Sequence, residues 1–69
     1  MRYETLFKKI LVEKDLSYKI FSIMTGLSKT SIYYYANGER LPDIKSAITI
    51  ANALHIDIRM IDRLFEPTN

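Results

Sequence analysis

The chain has 69 residues, the size of one small domain covering 1–69. Hydrophobic residues make up 48% of it, which excludes an intrinsically disordered chain. It contains no cysteine, so its stability must come from packing, helped in some small domains by association of copies. The absence of cysteine and of a signal-like start predicts a cytoplasmic protein, and no apolar run approaches the roughly 20 residues of a membrane span.

The charge is mildly basic, with a formal net charge of +2 and a pI of about 9.0. This balance is by itself a weak indication of a nucleic-acid partner, because clustering of Lys and Arg on one face matters more than their total. For the charge alone, a slightly positive solvated surface is the favoured explanation.

Two helices are predicted in the first third of the chain. The first covers about 2–14, and the second covers about 18–25, after Ser17, whose residue type caps helix N-termini. Gly26 then ends the second helix, because glycine readily adopts the left-handed conformation. The apolar stripe of the first helix is Tyr3, Leu6, Phe7, Ile10 and Leu11, and that of the second is Ile20, Phe21 and Met24, with Ile23 beside it.

A third helix is predicted at 29–36, between a Ser28 cap and the stop signal Asn37-Gly38. Ile32 and Tyr35 are three residues apart and share a face that points toward a core. The remaining side chains supply a cation and several hydroxyl groups, which makes this helix a candidate for reading DNA. A short turn containing glycine joins helices 2 and 3 in a helix-turn-helix arrangement, although many helical proteins have such turns.

Two more helices complete an all-α prediction of five short helices. The fourth covers about 44–54 with Asp43 as its cap, and the fifth covers about 58–65 with Asp57 as its cap. The apolar positions of the fourth are Ile44, Ala47, Ile48, Ala51 and Leu54, with Ile50 beside them, and those of the fifth are Ile58, Ile61, Leu64 and Phe65.

Three motifs follow one another without a gap. They read L-S-Y-K-I-F-S-I-M-T-G-L-S over 16–28, I-Y-Y-Y-A-N-G-E-R-L-P over 32–42 and I-A-N-A-L over 50–54. The combination resembles the Cro/CI-type (XRE-like) helix-turn-helix family of phage and bacterial repressors. The family pattern is roughly L-T-Q-x-x-L-A-x-x-x-G-[VL]-S, then [IV]-x-x-I-E-N-G, a proline, and I-A-x-A-L. The resemblance covers about 6–64 and implies a lambda-repressor-like DNA-binding domain with the helix-turn-helix at helices 2 and 3.

Some positions depart from the family pattern. Tyr18 stands where members often have a glutamine that contacts phosphate, and a phenol cannot form the two-sided amide bridge. Ser22 replaces a small alanine between helices 2 and 3. Leu11 and Ala36 stand where many members pair an Arg with a Glu. Since both charges are missing together, no unpaired charge is left behind.

The resemblance implies that helix 3 enters the major groove of DNA. The residues expected to face the bases are Ser28, Lys29, Thr30, Tyr33 and Tyr34. A lysine suits guanine O6 or N7, whereas threonine and tyrosine suit hydrogen bonds or contacts with thymine methyl groups. The helix has no Arg or Gln and no Asn before its end, so shape and apolar contacts are expected to carry part of the specificity. Packing is the alternative role for the tyrosines, and it is favoured for Tyr35.

Contacts with DNA phosphates are expected at two places. One is the start of helix 2, where backbone N–H groups favour an anion, and the other is the loop after helix 3. The residues are Ser17 and Tyr18 at the first place, and Asn37, Arg40 and Lys45 at the second. The alternative for Arg40 is an exposed loop residue or a partner for Glu39 or Asp43.

No pattern in the sequence indicates catalysis, a metal or a cofactor. His55 is the single histidine, and one histidine without cysteine or a carboxylate cluster does not make a metal site. There is no Ser-His-Asp spacing, glycine-rich phosphate loop or carboxylate pair. We therefore expect no enzymatic activity, no cofactor and no small-molecule ligand.

The combined interpretation is a sequence-specific DNA-binding transcriptional regulator. It is expected to be a bacterial or phage-encoded repressor that binds a near-palindromic operator in double-stranded DNA as a homodimer, at the nucleoid. The expected dimer surface consists of Ile58, Met60, Ile61, Leu64 and Phe65, with a core role left open for Ile61 and Leu64. The alternative is a protein-interaction module on the same fold, an antirepressor or antitoxin-like partner, which the modest charge and the tyrosine-rich, arginine-free helix 3 leave open.

Overall fold

The computed structural model describes residues 3–68 of the chain. They form α1 (Leu6–Glu13), α2 (Tyr18–Thr25), α3 (Lys29–Ala36), α4 (Ile44–Ala53), and a 3₁₀ turn (Ile58–Met60) that runs directly into α5 (Ile61–Leu64). Residues 3–68 contain no strand, and their one β-type pairing is an isolated bridge between Thr5 and Pro67. The predicted all-α fold of five short helices is confirmed. None of the described helices is long and apolar enough to cross a membrane.

Each of the first four helices begins at a side chain that caps it. The capping oxygens of Thr5, Ser17, Ser28 and Asp43 accept hydrogen bonds from backbone N–H groups three residues later, at 3.0–3.1 Å. Each cap satisfies one of the N–H groups that the first turn of a helix leaves without a partner. The hydrogen bonds from Ser46 also lower the pKa of the Asp43 carboxyl.

Helix α1 begins later than the sequence predicted. The Thr5 hydroxyl caps it and also donates a hydrogen bond to the carbonyl oxygen of Ala36 at 2.8 Å. The backbone N–H of Tyr3 donates to the carbonyl oxygen of Asn37 at 2.9 Å, so this residue joins the end of α3 instead of continuing a helix. The prediction counted Tyr3 as helical because of its spacing from Leu6. Its first residue, Arg2, lies outside the described residues.

The C-terminal helices are also shorter than predicted. Helix α4 ends at Ala53, because Leu54 caps it and His55 takes a left-handed conformation with φ 57°. The fifth predicted helix, 58–65, starts instead as a 3₁₀ turn, in which the N–H of Met60 donates to the carbonyl oxygen of Asp57 at 2.9 Å. Within the predicted range 58–65, α-helical geometry is confined to Ile61–Leu64.

One hydrophobic core joins all five α-helices. The ring of Phe7 lies at its centre, 5.5 Å from Phe21 and 5.5 Å from Phe65 between centroids. The core cluster comprises Phe7, Leu11, Phe21, Ile32, Tyr35, Ala36, Ala47, Ile50, Leu54, Leu64 and Phe65. The apolar pair Leu11 and Ala36, which replaces the charged pair of many family members, is therefore fully inside the core.

Several apolar residues that the sequence assigned to the core are exposed. In α2 only Phe21 is buried, whereas Ile20, Ile23 and Met24 lie on the surface, and in α4 Ile44 is exposed. Helical spacing identifies apolar residues that share one side of a helix, but an eight-residue helix buries only part of that side against its neighbours. Spacing therefore does not show which of these residues are buried. The rotation of α2 follows from the contact of Phe21 with Phe7, which spacing alone does not reveal.

The turn between α2 and α3 is fixed by local contacts. Gly26 ends α2 in the left-handed conformation, with φ 79°. The hydroxyl of Ser22 donates to the carbonyl oxygen of Leu27 at 2.6 Å, and the N–H of Leu27 donates to the hydroxyl of Thr25 at 3.2 Å. These bonds tie the turn to α2, and they set where α3 begins.

Gly26 and Gly38 offer a matched test of this backbone. Both have positive φ, but an added Cβ at Gly26 meets nothing within 4 Å, whereas one at Gly38 would lie 2.7 Å from the Tyr3 ring. We expect Gly26→Ala to lower the free energy of unfolding by about 1–2 kcal/mol, the usual penalty for a left-handed residue with a side chain. Gly38→Ala should cost about 1 kcal/mol more, because the Tyr3 hydroxyl must give up its 3.2 Å hydrogen bond to the Phe65 carbonyl oxygen. Urea denaturation of the two variants measures this difference. Equal losses in the free energy of unfolding would show that the Tyr3 ring moves aside without cost.

Candidate nucleic-acid interface

The outer side of α3 and the start of α2 form a shallow cleft of about 340 Å³. Its lining residues are Tyr18, Lys29, Thr30, Tyr33 and Tyr34, which together are called the tyrosine cleft below. Four of them are predicted base-reading residues, and Tyr18 is a predicted phosphate contact. The fold therefore brings into one surface side chains that the sequence placed on two helices.

The tyrosine rings of the cleft support one another. The ring of Tyr33 lies between the other two, 6.0 Å from Tyr18 at an interplanar angle of 77° and 5.8 Å from Tyr34 at 58°. Aromatic rings prefer such edge-to-face and tilted arrangements because the positive edge of one ring meets the negative face of the next. The three rings are thus restrained before any ligand arrives.

Positive charge lies at the tyrosine cleft. Lys29 belongs to its lining, and the guanidinium carbon of Arg40 is 5.2 Å from the centroid of the Tyr34 ring, within the range of a cation–π interaction. No lining residue is acidic. The predicted loop cation Arg40 therefore stands at the edge of the same surface, where both charges favour an anionic partner.

The opposite side of α3 holds the helix to the core. Ile32, Tyr35 and Ala36 are buried, and the Tyr35 ring packs edge-on against Phe65 at a centroid distance of 6.4 Å. The predicted core role of Tyr35 is confirmed, and its aromatic partner, Phe65, follows α5 near the C-terminal end of the described residues. The three consecutive tyrosines therefore divide between two surfaces.

The other predicted contact residues at helix starts and in the loop are accessible. Ser17 and Ser28 are exposed at the starts of α2 and α3, where their side chains act as caps. The hydroxyl of Ser28 also donates to the hydroxyl of Ser31 at 2.8 Å, so its capacity for a base contact is partly used. Arg40 is exposed in the loop that precedes α4, and Lys45 is exposed in the first turn of α4.

Asn37 corrects the predicted phosphate set. It is buried, its amide nitrogen donates to the carbonyl oxygen of Tyr33 at 2.8 Å, and its amide oxygen accepts from the Lys8 ammonium at 3.3 Å. The side chain therefore closes the end of α3 and links it to α1. The burial of Asn37 and these two bonds leave its amide poorly placed for a phosphate, and they give Lys8 of α1 a structural partner.

The predicted dimer surface also needs correction. Leu64 and Phe65 are only 1% and 5% exposed, because both belong to the core around Phe7. Ile58 and Met60 remain exposed. The sequence assigned Phe65 to a surface because it treated 58–65 as one regular helix packed on one side.

A second cleft, of about 410 Å³, includes Ile61, another residue of the predicted dimer surface. It is lined by Tyr3, Leu41, Pro42, Ile44, Ala47, Ile61, Asp62, Phe65 and Glu66. Leu41 is 71% exposed, and Ile44 is similarly open. Neither was predicted as a surface residue, and the available signal for Leu41 was an apolar residue beside Pro42 in a loop.

In residues 3–68 no group of His, Cys, Asp or Glu is arranged so that it could hold a metal ion. A helix pair joined by a fixed turn, with the second helix buried on one side and polar on the other, defines a helix-turn-helix domain.

Comparison with protein families supports this definition. Residues 7–61 match a family model described as helix-turn-helix, which is most of the chain. The chain belongs to this helix-turn-helix family, of the Cro/CI (XRE) type. Membership points to a DNA-binding transcription regulator. Searches of curated proteins and of solved structures gave no match.

The ring contacts of Tyr33 predict a measurable but tolerable effect on stability. Tyr33→Ala removes the ring contacts of Tyr33 with Tyr18 and Tyr34. We expect it to lower the free energy of unfolding by about 1 kcal/mol, because each aromatic pair contributes about 0.5–1.5 kcal/mol and these pairs are partly exposed. Lys29→Ala, at an exposed position of the same helix, should change it by less than about 0.5 kcal/mol. Urea denaturation followed by circular dichroism measures both. A Tyr33→Ala chain that fails to fold would show that this ring belongs to the core.

Proposed function

We propose that this protein is a sequence-specific transcriptional repressor that binds a near-palindromic operator as a homodimer, in the cytoplasm of a bacterium at the nucleoid, encoded by the host or by a phage. The observation that carries the proposal is the division of α3. One side is buried in the core through Ile32, Tyr35 and Ala36, and the other is an aromatic cleft with positive charge. A reading helix needs both properties, because it must be held rigidly while its outer side chains reach the bases.

In this proposal α3 lies in the major groove. Lys29 donates to guanine O6 or N7, and the hydroxyl of Thr30 bonds a base edge. Tyr33 and Tyr34 present rings and hydroxyl groups to the bases, and Ser28 lies at the edge of the contact. The exposure of Lys29 and Thr30 and the arrangement of the rings support these roles.

Phosphate contacts would orient the domain on the duplex. We assign them to Ser17 and Tyr18 at the N-terminus of α2, and to the exposed cations Arg40 and Lys45. The position of Tyr18 in the tyrosine cleft supports a contact at the margin of the reading surface. Asn37 is omitted because its amide is engaged within the fold.

For the homodimer we propose a surface built from Ile58, Met60 and Ile61, extended by Leu41 and Ile44. Ile61 lines the same apolar cleft as Leu41 and Ile44, so the two parts are continuous. The described domain measures 28 × 23 × 23 Å. Two such domains in contact fit side by side on half-sites about 34 Å apart, one helical turn of DNA. A bound dimer would then block polymerase without any further activity, which makes repression the simplest outcome.

The alternative function, a protein-interaction module, is favoured by a different observation. Val12, Ile20, Ile23 and Met24 are all exposed on α1 and α2, and Ile23 has 76% of its surface accessible. Exposed apolar residues in such numbers are typical of contacts with other proteins. An antirepressor or antitoxin-like partner on this fold would use such a surface. A measurement of DNA binding distinguishes the two functions, because only the repressor requires it.

A salt titration with duplex DNA tests the proposed function. With Arg40 and Lys45 neutralising one phosphate each, a dimer makes about four such contacts, so log Kobs should fall against log salt with a slope of about −3.6. This corresponds to roughly a 100-fold loss of affinity between about 50 and 200 mM salt. Duplexes selected from a random library should contain two inverted half-sites. Absence of binding even at the lower salt concentration would contradict the DNA-binding function.

Charge variants refine this titration. Arg40→Gln should lower affinity for specific and random duplexes alike and make the slope less steep by about 2 in the dimer, one per copy. Lys9→Gln, which removes an exposed cation of α1 outside the proposed contacts, is the matched control and should leave the slope unchanged. Equal effects of the two variants would indicate a response to total charge and not to a defined phosphate contact.

The dimer surface is tested separately. Leu41→Ser and Ile44→Ser together should weaken dimerisation at least about 100-fold, because each buried aliphatic side chain contributes about 1.5–3 kcal/mol. The stability of the monomer should hardly change, since both residues are exposed. Val12→Ser is the control, because Val12 is 71% exposed like Leu41 but lies on α1. Sedimentation equilibrium measures the dissociation constant, and an unchanged value in the double variant would place the dimer contact elsewhere.

A further inference from the structure

The tyrosine cleft differs from a reading surface built on bidentate hydrogen bonds. Three of its five lining residues are tyrosines, and the other two, Lys29 and Thr30, also carry apolar groups, an aliphatic stem and a methyl group. Arginine recognises guanine, and asparagine or glutamine recognises adenine, through paired hydrogen bonds. The residues of α3 include none of these, and Asn37 beyond its end is engaged with Tyr33 and Lys8. The cleft must therefore read a different feature of the base pair.

In the major groove, that feature is the C5-methyl group of thymine, which is the apolar group that a standard base pair presents there. A row of ring faces and edges matches such a methyl group in polarity. We propose, on the basis of the DNA-binding function proposed above, that the tyrosine cleft receives a pyrimidine C5-methyl group and that the pyrimidine is thymine.

Lys29 decides between the two pyrimidines that carry this methyl group. Thymine presents the acceptor O4 beside the methyl, whereas 5-methylcytosine presents an amino group that donates. An ammonium group has three donors and no acceptor. Lys29, in the lining of the cleft, can therefore donate to thymine O4 beside the methyl group but not to the amino group of 5-methylcytosine, while its other donors stay available for a guanine of the adjacent base pair.

The cleft is also restrained in advance. Tyr33 is in contact with the rings of Tyr18 and Tyr34, and the Arg40 guanidinium stands over the ring of Tyr34. A restrained side chain loses less conformational freedom on binding. A single methyl group contributes little binding energy. Because the restrained rings lose little freedom on binding, this small contribution is enough to distinguish a base with the methyl group from one without it.

The test replaces thymine with deoxyuridine, which removes the methyl group alone. In the duplex selected from the random library, each thymine of the half-site is replaced in turn, and the dissociation constant is measured by fluorescence anisotropy with the wild-type protein. At one position in each half-site we expect about a 4-fold loss of affinity, the value of one buried methyl-sized group, and about a 15-fold loss when both half-sites are replaced.

Protein variants show whether the methyl effect arises in the cleft. In Tyr33→Ala and Tyr34→Ala the ratio of affinities for thymine and uracil duplexes should fall to about one, whereas Tyr33→Phe should keep it because the ring remains. Lys29→Ala is the matched control, since it should lower affinity while the thymine-to-uracil ratio persists. An intrinsic effect of uracil on DNA shape would be equal in all variants, and that result would overturn the proposal.

A cytosine arm separates the two methylated bases. At the sensitive position, 5-methylcytosine paired with guanine should bind about 4-fold more tightly than cytosine but more weakly than thymine. Tighter binding to 5-methylcytosine than to thymine would overturn the choice of thymine. Salt-dependent binding with no response to any uracil substitution would overturn the methyl proposal and leave the DNA-binding function standing. Absence of DNA binding would overturn both.

Discussion

The packing of Phe7 between Phe21 and Phe65, at 5.5 Å from each ring, is the contact on which the rest of the structure depends. It joins α1 to α2 and to the C-terminal end of the chain. Because Phe21 must meet Phe7, α2 turns its other apolar residues outward, including the exposed Ile23. Because Phe65 must reach the same ring, the segment that follows α5 folds back onto α1, and Phe65 is removed from the surface. The exposed apolar residues are thus a consequence of how the core closes.

A second set of contacts holds α3 at its C-terminal end. The hydroxyl and N–H of Thr5 both donate to the carbonyl oxygen of Ala36, Tyr3 pairs with the backbone of Asn37, and Lys8 bonds the amide of that residue. These bonds connect α1 and α3 where many family members place an Arg–Glu pair. Backbone hydrogen bonds and a buried apolar contact have replaced a charge pair, so no buried charge needs to be compensated. The position of α3 relative to α1 therefore depends on backbone hydrogen bonds, on apolar packing and on the hydrogen bond from the Lys8 ammonium to Asn37.

The candidate interface combines little charge with much aromatic surface. Lys29 and Arg40 provide positive charge at the tyrosine cleft, while Tyr18, Tyr33 and Tyr34 provide most of its walls. In such a surface, charge brings the protein to DNA and sets its salt dependence, whereas contacts with the bases select the site. Under the proposed function, a cleft of restrained phenol rings suits selection by shape and by methyl groups, and specificity would then not require Arg or Gln in α3.

The sequence by itself determined the features that depend on near neighbours. Ser17, Ser28 and Asp43 cap their helices, and Gly26 ends α2, because capping and left-handed turns involve residues within one turn of each other. The two sides of α3 also follow from spacing within one short helix. Only the tertiary structure decided which side of α2 faces the core, that Asn37 is occupied, and that Leu64 and Phe65 are buried. Those outcomes depend on contacts between distant residues, such as the bond from the Tyr3 hydroxyl to the Phe65 carbonyl oxygen, and no local pattern encodes which distant partners will meet.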